Sequence, residues 1–121
     1  LFLLERTGSH NKLIQRAKDF IRANCTSDVS LERVSNQIGL SSYYLSKLFK
    51  KEEGINYRDF VTTVRMEKAY GLLCEGKMNV GEVAAAVGYG SVDHFTKNFK
   101  NSYGVNPRDI RRGMREKKHT P

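Results

Sequence analysis

Residues able to carry metal, redox or catalytic chemistry are scarce in this chain. Its only two cysteines, Cys25 and Cys74, form no CxxC pair, and His10, His94 and His119 are scattered along the sequence. A zinc site gathers three or four such ligands at characteristic spacings, so neither a metal nor any other cofactor is expected. Both cysteines fall within helical apolar patterns and read as two buried thiols in a reducing cytosol, although spacing alone leaves a disulfide open. No paired carboxylates with a plausible pocket are visible, which argues against catalysis within this chain. No apolar run is long enough to cross a bilayer, and Leu1–Phe2–Leu3–Leu4 is too short for a signal-peptide core. The absence of an initiator Met reads as a piece cut from something longer, and no membrane partner is expected.

Negative charge is also in short supply. Thirteen Asp and Glu face 21 Lys and Arg, for a formal net charge of +8 over 121 residues and a pI near 9.7. Such a surplus suits a polyanion, duplex DNA being the commonest, or else a solubilising surface.

What the chain does contain is one pattern written twice. Val34, Gly39, Leu45, Phe49, Lys50, Gly54, Asn56, Arg58 and Asp59 are matched by Val83, Gly88, Phe95, Phe99, Lys100, Gly104, Asn106, Arg108 and Asp109. The offset is 49 up to the first pair of glycines and 50 after it. Each copy reads as short helix, glycine turn, longer basic helix and second glycine, the layout of a helix-turn-helix.

The spacing predicts an all-α chain of seven helices with no strand. Leu13, Ile14, Ala17, Phe20 and Ile21 share one helical stripe from His10 to Asn24 or Cys25, whereas residues 1–9 show no capped repeat and read as a linker or tail from an upstream domain. Ser30 caps a short helix closed by Gly39, and Ser41 or Ser42 caps the first recognition helix, about 42–53. Residues 10–55 form the first helix-turn-helix subdomain. A linker helix over 56–75, the longest expected, changes its apolar face partway: Phe60, Val61 and Val64 lie on one side, Met66, Ala69 and Leu73 on the other. Residues 76–113 form the second subdomain, with a capping box at Asn79 and Glu82 and a second recognition helix at about 91–103 capped by Ser91. Asn106 and Pro107 begin a short last helix that fades into a basic tail, 114–121.

These residues support a name. Arg65–Met66–Glu67–Lys68–Ala69 followed by Leu72–Leu73 resembles the linker helix of the AraC/XylS family of bacterial transcription regulators. Val83–Ala84, Val87–Gly88–Tyr89, Phe95, Phe99–Lys100, Gly104–Val105–Asn106–Pro107 and Ile110–Arg111 resemble that family's C-terminal signature, and the likeness spans about residues 10–113. Ile110 stands where the family usually has an aromatic. The second recognition helix opens Val92–Asp93–His94–Phe95, so its base preferences do not carry over from a relative. The resemblance implies promoter binding in a bacterial cytoplasm, contact with RNA polymerase, and an upstream sensing or dimerisation domain.

A linker of about 19 residues spans roughly 28 Å, and successive major grooves on one DNA face repeat at about 34 Å. Two recognition helices on one chain then read an asymmetric site of roughly 15–20 base pairs. The base-contact candidates are the outward residues early in each recognition helix: Tyr43, Ser46 and Lys47, then Val92, Asp93, His94 and Lys97. They also fall where the family's base-contacting residues lie. Lys47 and Lys97 can donate to guanine O6 and N7, Asp93 can accept from cytosine N4, and Val92 can touch a thymine methyl or turn inward. The bland reading leaves half of them on phosphate or in water. Phosphate contact is expected from Ser41, Lys50, Lys100, Arg108 and Arg111, the last two near a helix N-terminus that favours anions. Arg58 is either a phosphate contact or solvated, and Arg65 either meets DNA or pairs with an acid such as Glu32. Phe49, Phe95 and Phe99 are core.

Two rivals come from other classes. A DNA-repair regulator that accepts alkyl groups needs an upstream cysteine cluster, which is missing, and a protein-docking module does not call for tandem recognition helices. RNA binding would call for exposed aromatics on a sheet or a known loop motif, and neither is visible.

Overall fold

The computed structural model describes the backbone of residues 2–119 and the side chains of residues 11–113. Among the described residues there are seven helices and no strand: α1 Phe2–Asn24, α2 Leu31–Ile38, α3 Ser42–Glu53, α4 Tyr57–Glu75, α5 Val80–Ala86, α6 Val92–Tyr103 and α7 Pro107–His119. The chain divides into two compact units within α4, between Val61 and Thr62.

The repeat is visible in the backbone. Ser41 and Ser91 each cap a recognition helix: the Tyr44 amide donates to the Ser41 hydroxyl at 3.1 Å and the His94 amide to the Ser91 hydroxyl at 3.3 Å. Both helices stop at a left-handed glycine, Gly54 (φ 78°) and Gly104 (φ 73°), whose amides donate to the Lys50 and Lys100 carbonyls. That conformation is cheap for glycine and strained for a residue with a Cβ.

In the first unit α1, α2 and α3 pack pairwise. Ile14, Ala17 and Ile21 supply the buried stripe of α1; Val34 and Ile38 that of α2; Leu45, Leu48 and Phe49 that of α3. The Phe49 ring meets Tyr57 and Phe60 edge-on at 5.5 and 5.1 Å, and the Tyr57 hydroxyl donates to the Val29 carbonyl at 2.7 Å. Lys18 pairs with Glu53 at 3.2 Å, tying α1 to the end of α3. The Ser30 amide donates to Asp28, and this bond chiefly holds the Asp28 carboxyl below its ordinary range.

In the second unit Met66, Ala69 and Leu73 of α4 join Val83, Ala84, Val87, Phe95 and Phe99 in one core, with Ile110 packed against it. The two apolar faces of α4 thus serve different neighbours: Phe60 meets Phe49 in the first unit, whereas Met66 begins the second core. Tyr103, its ring tilted against those of Phe99 and Tyr70 at 4.9 Å from each, has its hydroxyl pushed up by partial desolvation and secondarily by the Glu67 carboxylate. The Asn79 and Glu82 capping box is complete, at 2.8 and 2.9 Å. Asn79→Ala should lower second-unit stability by about 1 kcal/mol, a fall of about 4–8 °C in its thermal midpoint; an unchanged melting curve would show that the cap contributes nothing.

Several boundaries differ from the sequence expectation. The first helix begins at Phe2 rather than near His10, so it, not α4, is the longest. Leu3, Leu4, Glu5 and Arg6 are good helix formers, a run that favours helix over this stretch. The last helix runs 13 residues to His119 because Arg, Glu, Lys and Met sustain it beyond Gly113. Cys25 is buried, but Cys74 is only half-buried, and neither is in a disulfide.

Candidate nucleic-acid interface

Each recognition helix begins at a serine cap, buries one stripe and turns the remainder outward. On α3, Leu45, Leu48 and Phe49 are buried while Tyr43, Lys47 and Lys50 are exposed and Ser46 is half-buried. Tyr43 is 71% exposed, the most exposed large apolar residue among those described. The Lys47 ammonium rests 4.6 Å from its ring centroid, one helical turn away. On α6, Phe95 and Phe99 are buried while Val92, Asp93, His94, Lys97 and Lys100 are exposed. All seven base-contact candidates therefore reach solvent near the starts of α3 and α6, Ser46 least.

The phosphate candidates divide. Ser41 is exposed, and its oxygen already accepts from the Tyr44 amide, which leaves the hydroxyl proton for an outside acceptor. Lys50 is exposed, and its ammonium donates to the Gly54 carbonyl at 3.3 Å, closing the end of α3. Lys100 occupies the matching place in the last turn of α6. Arg108 is exposed at the start of α7, but Arg111 is half-buried and its Nε donates to the Met78 carbonyl. Arg111 therefore fastens α7 to the turn before α5, and only its terminal nitrogens remain for phosphate.

Arg108, Arg111 and Arg112 border an open cleft of about 890 Å³, together with Asn79, Gly81, Asn106 and, from α6, Val92, Asp93 and Thr96. A strongly positive wall thus adjoins base-reading candidates, and a carboxylate sits in the same cleft. Arg112 was not singled out by the repeat because the matching residue of the first copy is Thr62. Two polar contacts also escaped the sequence. The Ser35 hydroxyl donates to the Glu32 carbonyl at 2.9 Å, so the bond of 3.0 Å between Ser35 and Ser42 has Ser42 as its donor. This pins α2 to the first residue of α3. On α6, the Asn98 amide donates to the Tyr89 hydroxyl at 2.9 Å. Arg65 places its guanidinium 6.0 Å from the Tyr89 ring centroid.

Among the described residues, no group of three or more His, Cys, Asp or Glu is placed to hold a metal. No helix among them is long and apolar enough to cross a membrane.

The family described as helix-turn-helix domain matches residues 34–113. The chain is 35% identical over 112 residues to the regulatory protein PocR of Salmonella typhimurium, covering 93% of this chain and 37% of that protein. It is 31% identical over 101 residues to the lactose operon transcription activator of Staphylococcus xylosus, covering 84% of this chain and 36% of that one. It thus spans well under half the length of these curated relatives. Among solved structures, the C-terminal domain of AraT, a response regulator from Geobacillus stearothermophilus, is 35% identical with a TM-score of 0.79 over 84% of each chain. The C-terminal domain of the two-component response regulator yesN from Fusobacterium nucleatum is 36% identical, with a TM-score of 0.74 over 84% of this chain and 96% of that one. A doubled, serine-capped, glycine-closed helix pair on a basic chain, taken with the family match and these relatives, leads to one conclusion: the chain belongs to the AraC/XylS family and is the DNA-binding, helix-turn-helix domain of a bacterial transcription regulator.

Proposed function

We propose that this domain reads an asymmetric promoter site by entering successive major grooves with the first two turns of α3 and α6. The observation that carries this reading is the repeated capped helix with unlike outward residues: Tyr43, Ser46 and Lys47 on one, Val92, Asp93, His94 and Lys97 on the other. Lys47 and Lys97 donate to guanine O6 and N7, Asp93 accepts from cytosine N4, and Val92 lies against a thymine methyl. Ser41, Lys50, Lys100, Arg108 and the free end of Arg111 hold phosphates, joined by Arg112 across the cleft. The parent protein works in the cytoplasm, meets RNA polymerase on the promoter, and carries an upstream sensing or dimerisation domain, either a small-molecule pocket or a phosphorylated receiver.

Selection from a randomised duplex pool tests the reading. One asymmetric motif with two segments about ten base pairs apart is expected. Salt-sensitive binding with no enriched motif would overturn it. Arg108→Ala with Arg112→Ala should leave the motif intact while flattening the dependence of log K on log salt by about two. A changed motif with an unchanged slope would move both arginines from phosphate to bases.

A further inference from the structure

We infer that Asn98 is a positioning residue: it fixes the tautomer of His94 and so decides which base edge His94 reads. The inference rests on the proposed placement of α6 in the major groove. His94 and Asn98 lie one turn apart on α6, His94 exposed and Asn98 half-buried. The Asn98 amide nitrogen is 2.9 Å from the Tyr89 hydroxyl oxygen and 3.4 Å from His94 Nε2. An amide nitrogen carries two hydrogens, one for each of these acceptors.

Tyr89 is a fixed post for this arrangement. Its ring meets Phe95 edge-on at 5.6 Å and His94 at 5.3 Å, with the Arg65 guanidinium 6.0 Å from its centroid. Asn98 is therefore anchored on one side and free to direct its second hydrogen at the imidazole. A neutral imidazole that accepts at Nε2 keeps its proton on Nδ1. His94 then offers the groove a donor, which suits the acceptors of guanine N7 and O6 and mismatches the cytosine N4 amino group. The device is confined to the second copy, because Tyr44 and Leu48 stand at the matching positions of the first. It gives the two halves of the site different chemistry, beyond any difference in the lysines.

The test combines imidazole nitrogen NMR with duplex selection, using the full chain at about pH 8, above the ordinary histidine range. The native chain should show the Nδ1–H tautomer of His94 and prefer guanine to cytosine by about tenfold at one base pair of the second segment. Asn98→Leu installs the residue the first copy already uses there. It should shift His94 toward the Nε2–H tautomer and cut that preference to about threefold or less, with the other positions unchanged. Tyr89→Phe, which keeps the ring and loses the anchor, should move both readouts the same way and serves if Asn98→Leu does not fold. His94→Ala should erase the preference at that base pair alone. If His94→Ala leaves the motif intact, the placement of His94 on a base is wrong. If it erases that position while Asn98→Leu and Tyr89→Phe keep both tautomer and preference, the positioning role is wrong. A native Nε2–H tautomer, with the amide oxygen turned toward the ring, overturns it outright.

Discussion

Phe99→Ala is expected to unfold the second unit under ordinary conditions. Phe99 has no solvent exposure and lies at the centre of an aromatic group, 4.9 Å from Tyr103, 5.8 Å from Phe95 and 6.4 Å from Tyr70, the last nearly parallel. Truncating a buried Phe costs about 3–5 kcal/mol, because the lost burial is compounded by a cavity the surroundings fill only partly. A unit of this size holds about 3–9 kcal/mol in total. The loss is of the same order as the whole. Hydrogen exchange resolved by residue would show α5 and α6 amides losing protection together. A variant melting within about 5 °C of the native unit would mean that the aromatic group collapses around the gap, and that the second core is less dependent on Phe99 than its burial suggests. Leu in place of Phe99 keeps most of the apolar volume and should lose far less, about 1–1.5 kcal/mol.

The same residue shows what could be read from sequence. Phe49 and Phe99 stand at matching places before matching lysines, and both are fully buried. Apolar spacing decides which face of a helix turns inward, and that requires no knowledge of the partner. Serine caps and closing glycines are local too, and Ser41, Ser91, Gly54 and Gly104 all act as their positions imply. Less legible was a start that the sequence does not mark with a capping residue: α1 begins at Phe2. Least legible were contacts joining residues distant in sequence. The bond from Arg111 to the Met78 carbonyl bridges 33 positions, and nothing in the motif distinguishes an arginine that holds a turn from one that waits for phosphate. The Ser35 and Ser42 bond has no counterpart in the second copy, where Ala84 and Val92 occupy the matching places. The repeat therefore reveals what the two copies share and conceals how each is individually braced.

The shared part includes one outward lysine at the same place on each recognition helix, and its double removal should have the largest effect on recognition. Lys47→Ala with Lys97→Ala is expected to weaken specific binding by about 2–6 kcal/mol, since each well-placed contact to a base is worth about 1–3 and the two serve different segments, so their losses add. In the free protein Lys47 sits over Tyr43, an exposed cation–π contact of about 0.5–1 kcal/mol. In the proposed reading a guanine contact outweighs that, so the ammonium would leave the ring on binding and uncover Tyr43 for sugar or methyl contact at the same moment. Tyr43→Ala should then cost affinity in addition to freeing Lys47, rather than improving it. Lys97 has no such partner among the described residues, Asp93 standing at the position of Tyr43. Duplex selection separates base reading from charge: the double variant should lose guanine preference in both segments, and Lys47→Ala alone in one. A loss shared equally by all sequences, with the motif intact, would return both lysines to the phosphate backbone and leave base reading to Asp93, His94 and the residues that hold them.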